Sequence, residues 1–281
     1  MASLVSIVVA AAVLTGTGRS ASAQRGRGEA GMHPVVSLDA LLQSTGPGWQ
    51  RARSPHFLLF AERGERPRYD PRALLDSLEA AYAHASRLLG VALGAHQPVP
   101  VLVTRSRTRF SQFLAPFGKG VANVGGAPEG DFLLLVHNDS VRAYVRHEVH
   151  DLVAHRAWGP AAAPWVTEGV AVWADGRCQG TSVLAVARDL LREEPGLTAA
   201  DLAARFTHRL GPDAASRARE YTLAGSLVAF VAERGGRAGV QAVWRRGIPT
   251  GRALEPWGAD SLAAPWRRGI PPKALARFGC G

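Results

Sequence analysis

The chain has 281 residues, 47% of them hydrophobic and 20% charged, with a formal net charge of +10. That balance supports one packed domain, or two closely associated ones, and excludes wholesale disorder. Two cysteines are too few for a disulfide mini-protein or a four-cysteine zinc module. Beyond the N-terminal segment no apolar run reaches the ~18–20 residues of a membrane span. The positive charge is almost all arginine, since only Lys119 and Lys273 are lysines, and it is scattered rather than blocked. Zinc-finger spacing and basic stripes interleaved with aromatics are both missing, so nucleic acid is not an expected partner.

Residues 4–14 form an apolar run with the length of a signal-peptide core, and Ala21-Ser22-Ala23 fits the small-x-small cleavage rule. The expectation is a signal peptide over 1–23, export to the periplasm or the medium, and no stable membrane span after cleavage. An oxidising compartment makes Cys178 and Cys280 a candidate disulfide, with two buried thiols as the alternative. Residues 24–53, rich in Gly, Ser, Gln and Arg, read as a flexible leader with one short helix near 38–42.

The ordered domain is expected from Ser54, beginning with a strand over 56–61. Asp70-Pro71 is a helix start, with Asp as N-cap and Pro at the first helical position. Leu74, Leu78, Tyr82, Ala85 and Leu89 then recur at helical spacing up to Gly90. Residues 99–103 and 132–136 read as strands, 108–113 as a short helix, and the glycine-rich stretch 118–130 as a structural loop. Asn138, Asp139 and Ser140 offer N-caps for a following helix. Helices are predicted near 140–157, 165–175, 181–192, 198–206, 218–234 and 236–245, before a proline-rich tail. The class is therefore α+β, a small twisted sheet on helices followed by a mostly helical half.

The chemistry concentrates in His147-Glu148-Val149-His150-Asp151, with His155 further on, and in Pro164-Trp165-Val166-Thr167-Glu168-Gly169-Val170-Ala171. On a helix Val141, Val145, Val149 and Leu152 share one face, and His147, Asp151 and His155 lie nearly opposite, flanked by Glu148. An ordinary solvated face is the plain alternative. Trp165 and Trp173 read as core or cleft wall, Glu193-Glu194 as a solvated helix face, and His56, His84, His96, His137 and His208 as isolated. No Gly-x-Ser-x-Gly elbow or Cys–His pairing points to another hydrolase class.

A His-Glu opening one helix, followed some twenty residues later by Pro-x-Trp-x-x-Glu-Gly-x-Ala, resembles the gluzincin zinc metallopeptidases, and within them the peptidase MA-like family. The similarity extends diffusely over 54–268, with 54–137 as the sheet-containing part, 138–268 as the helical part with the site, and 269–281 as a tail. It implies a peptide or protein substrate, hydrolysis by metal-activated water, and one zinc ion. By the same resemblance His147 is the first metal ligand, Glu148 the general base and Glu168 the third ligand, while Tyr221 is a candidate oxyanion donor with packing as its alternative. The family's second histidine is here Asp151, and His150 stands one residue early. Three readings stay open. Asp151 is the ligand, which favours harder metals such as manganese; or His150 is the ligand; or the site binds no metal and the protein is a degenerate envelope or peptide-binding module. His155 joins the metal or orients Asp151, with a solvated or core-edge histidine as the plain alternative.

Overall fold

The computed structural model describes residues 38–44, 48–63, 70–91, 98–114, 126–129, 132–137, 144–178, 181–208 and 214–247. The expected signal peptide, residues 24–37 of the leader, the caps Asn138, Asp139 and Ser140, Val141, Cys280 and the tail lie outside the described residues, as does the side chain of Cys178. The fold is α+β. Five strands form one mixed sheet: β1 (Trp49–Arg53), β2 (Phe57–Glu62), β3 (Val99–Thr104), β4 (Gly126–Glu129) and β5 (Phe132–Val136), in the order β1-β2-β3-β5-β4.

The three inner strands run parallel, with Leu59 opposite Val101 and Val101 opposite Leu133. Parallel strands must be covered on both faces, which is why β5 reads Phe-Leu-Leu-Leu-Val without alternation. Their side chains still divide by period two. Phe57, Leu59, Val101, Val103, Leu133 and Leu135 face the large helical core. Phe60, Leu102, Leu134 and Val136 face a second cluster closed by Phe110, Phe113 and Leu114 of α3 (Arg107–Leu114).

Two sequence expectations are corrected at the sheet's edges. The domain does not wait for Ser54: β1 pairs antiparallel with β2, and α1 (Leu38–Ser44) packs Leu38 and Leu42, with Trp49, onto the second cluster. Scattered apolar residues among Gln and Arg concealed an edge strand, because only one of its faces is covered. Likewise the end of the glycine-rich stretch is β4, antiparallel to β5. Strand β5 is therefore internal, and β4 is the edge.

Helix α2 (Pro71–Leu89) forms as its sequence dictates, with Asp70 accepting a hydrogen bond from the Arg72 N–H at 2.9 Å and Gly90 closing it at φ 64°. Five further helices follow the sheet: α4 (Val145–Trp158), α5 (Pro164–Asp175), α6 (Val183–Glu193), α7 (Ala199–His208) and α8 (Ala214–Arg246). A two-residue ladder, Arg177–Cys178 with Thr181–Ser182, separates α5 from α6. Helix α8 bends at Gly236 (φ 55°, ψ −155°), where two helices are predicted to meet. Glu193 and Glu194 are not a bare solvated face: Arg219 reaches both at 2.7 Å, and Arg205 also pairs with Glu194. These pairs hold Glu194 below the usual carboxylate range, Arg205 first among the causes, and tie the end of α6 to α7 and α8.

Among the described residues α5 and α8 share the most extensive helix contact, and glycine permits their close approach. A Cβ on Gly169 would lie 2.9 Å from the Ala224 carbonyl oxygen and 2.9 Å from Val228 Cγ2. A backbone oxygen cannot turn aside, so Gly169→Ala is expected to destabilise the fold by about 1–3 kcal/mol, read as a lowered midpoint in thermal or urea unfolding. Gly196→Ala, with nothing within 4 Å of the added carbon, should leave that midpoint nearly unchanged.

Candidate active site

Helix α4 ends at Gly159, whose positive φ of 79° turns the chain out of the helix. Extended Ala163 and then Pro164, which needs no N–H partner at a first helical position, start α5 back against α4. The reversal brings the two motif halves together. His147 Nε2 lies 3.2 Å from Glu168 Oε2. Glu148 and Asp151 are both only 7% exposed, and their charges act on His147 along with that of Glu168. Burial opposes a charge on His147, but contact with Glu168 and the three carboxylates prevail and hold the imidazole up at about 9.

Tyr221 enters from α8. Its ring stacks on Phe206 at a centroid distance of 5.9 Å, and its hydroxyl lies near the Glu168 carboxylate. Burial first, then the negative charges of Glu168 and Glu148, push its pKa well above the usual phenol value. The hydroxyl therefore stays protonated and able to donate. Tyr221 is thus a member of the site and not of the core alone, whereas Trp165, 2% exposed, is core.

Asp151 and His150, the two open candidates for the second ligand, point in different directions. His155 Nδ1 stands 2.7 Å from Asp151 Oδ1, one helical turn on, with its ring edge-on to Trp244. The same nitrogen is 3.1 Å from the Asp151 carbonyl oxygen. His150 is fully buried against α2, with Nδ1 2.5 Å from the Arg146 carbonyl oxygen and Nε2 2.8 Å from His84 Nδ1. Both ring nitrogens are spent, so His150 as the metal ligand is withdrawn. The solvated-face reading of α4 is also overturned: Glu148, His150 and Asp151 are all buried.

Among the described residues no group of three or more His, Cys, Asp and Glu side chains is arranged to hold a metal ion. His147 and Glu168 nevertheless have the right spacing: two ligands ~2.1 Å from one tetrahedral metal sit about 3.4 Å apart. Glu168 Oε2 and Asp151 Oδ1 are buried oxygens without a well-directed hydrogen bond, each meeting its histidine only at ion-pair range. Three carboxylates with one imidazolium leave an excess of negative charge, and a divalent cation suits that excess. His147 and Glu168 are donors of the kind that zinc or manganese takes, and Asp151 is a further carboxylate whose charge acts on the same histidine. A cavity of about 340 Å³, lined by His147, Arg146, Tyr144, Ser77 and Asp175, opens beside His147.

No family model matches the chain, and no curated protein is significantly similar to it. His84 and Arg146 are the site neighbours that sequence reasoning passed over. They lie 62 residues apart, and no local pattern joins them.

Acid should act through His150. Burial comes first among the causes that lower its pKa to about 4 from 6.5, and His84 is lowered too, again chiefly by burial. The unfolded chain binds the proton that the folded chain refuses, so stability falls as pH drops from about 6.5 towards 4. Urea unfolding at pH 7 and at pH 4 should show this loss larger in the parent than in His150→Gln, by on the order of 2–3 kcal/mol. His147 works in the opposite sense: its contribution is complete below about 6.5 and fades as pH rises through about 9.

Proposed function

We propose that this protein is an exported, metal-dependent peptidase-like hydrolase, similar in its chemistry to the gluzincins. The observation that carries the reading is the convergence of Glu148, Asp151 and Glu168, from two helices, on one largely buried histidine. His147, Asp151 and Glu168 would hold one zinc or manganese ion. Bound there, such an ion supplies a Lewis acid and lowers the pKa of its water.

The chain's own residues divide the remaining work. Glu148, buried and aimed among the same charges, takes the proton from the attacking water and delivers it to the leaving amine. Tyr221 donates its hydroxyl hydrogen to the oxygen on which negative charge develops. That hydrogen is presented because the phenol resists ionisation. His155 keeps Asp151 in one rotamer. The cavity beside His147 accommodates part of a peptide or protein substrate.

A second reading is favoured by two contacts. His147 with Glu168, and His155 with Asp151, already stand at ion-pair distance from one another. In that reading the site is degenerate and the protein binds peptide or envelope polymers.

Elemental mass spectrometry of the purified protein separates the two. Stoichiometric zinc or manganese, lost in His147→Ala and in Glu168→Ala, is expected. Metal-free protein that gains zinc only in Asp151→His would establish the degenerate site. Glu148→Gln should keep the metal and abolish hydrolysis of unstructured peptides. Tyr221→Phe should lower kcat about 10²–10³-fold with metal content unchanged.

A further inference from the structure

His84 lies on α2, far from the motif in sequence, yet it closes a ring behind the site. Arg146 Nη2 is 2.7 Å from His84 Nε2, His84 Nδ1 is 2.8 Å from His150 Nε2, and His150 Nδ1 is 2.5 Å from the Arg146 carbonyl oxygen. Chemistry fixes the direction of every bond. A guanidinium only donates and a carbonyl only accepts. His84 Nε2 therefore accepts, its hydrogen sits on Nδ1, and Nδ1 donates to His150. His150 in turn carries its hydrogen on Nδ1 and donates to the carbonyl oxygen. Both imidazoles are neutral Nδ1–H tautomers.

The ring grips α4 on one stripe. Arg146 and His150 are one turn apart, and each immediately precedes a proposed ligand, His147 and Asp151. Successive helical residues are turned by about 100°, so fixing one stripe fixes the direction of the next. Arg146 also reaches α5, with Nη2 donating to the Ala174 carbonyl oxygen at 3.4 Å and Nε 3.6 Å from Asp175 Oδ1. Glu168 is carried on that same α5. The ring and its guanidinium thereby lock α2, α4 and α5 in one relative setting.

We infer that His84 is a positioning residue for the site: it sets the rotation of α4 that turns His147 and Asp151 toward Glu168. This inference rests on the metal-site reading for its functional consequence, though not for the ring itself. A packing role would need only the volume of the side chain. The ring needs an acceptor and a donor at opposite ends of it. Glutamine supplies both and phenylalanine neither.

The test compares the full chain with His84→Gln and His84→Phe. Long-range ¹H–¹⁵N spectra at pH 7 should show His84 and His150 of the parent as Nδ1–H tautomers. Zinc affinity, read by competition with a chromophoric chelator, should fall about tenfold in His84→Phe and stay within about threefold in His84→Gln. The His147 ring resonances should shift in the Phe variant and hold in the Gln variant. An Nε2–H tautomer at either histidine, or equal effects of Gln and Phe, overturns the inference. If the parent binds no zinc, the metal reading fails by itself, and the tautomers and His147 resonances still decide the ring. Should the Phe variant not fold, the parent's tautomers and the Gln variant's His147 resonances decide it.

Discussion

Helix α4 is packed on several sides at once, against α2, α5, α8 and the β4 and β5 strands, yet it carries Arg146, His147, Glu148, His150, Asp151 and His155. Polar groups out of water need partners, or each costs on the order of 1–3 kcal/mol. Much of the architecture around the site answers that demand. His150 finds His84 on α2, Arg146 finds the end of α5, His147 finds Glu168, and Asp151 finds His155. Val149, Leu152, Val153 and Ala154 join the core. The helix can therefore neither slide nor turn without orphaning several buried groups together.

The same constraint explains the unusual order His150-Asp151. The helix must use one histidine to satisfy α2 and one carboxylate to face the charged cluster. In the proposed reading a carboxylate in place of an imidazole makes the centre more negative, so the bound cation would be held more by charge and would polarise its water less. Tyr221 matters more at such a centre, because a neutral hydroxyl donor helps a developing oxyanion without competing for the metal. Its approach depends on Gly169, directly after Glu168, which lets α8 lie close against α5. One glycine thus serves both the packing and the site.

Much of the architecture was legible in the sequence where a local physical signal was strong. Asp70, Pro71 and Gly90 bound α2 as their chemistry requires. The uninterrupted apolar run over 132–136 marked β5 as a strand, though not its place inside the sheet. The separate helices predicted over 218–234 and 236–245 meet at the bend of α8 at Gly236. The edge strands β1 and β4 escaped, because pairing on one side and covering on one face leave little hydrophobic signature. The polar stripe of α4 was legible as a candidate site, but its depth of burial was not, since its partners come from helices that the helix itself cannot announce.

The sequence by itself determined which residue types stand at which helical phase: His147 with Asp151, Arg146 with His150, Glu168 beside Gly169. Those relations follow from 3.6 residues per turn and need no tertiary information. Only the tertiary structure decided which groups meet. Glu168 and Tyr221 reach His147's neighbourhood because α5 folds back and α8 packs on it. His150 is taken out of that neighbourhood by His84, a residue from the other half of the chain. The physical reason is that hydrogen-bond satisfaction of a buried helix is a property of everything packed against it, and periodicity describes the helix alone.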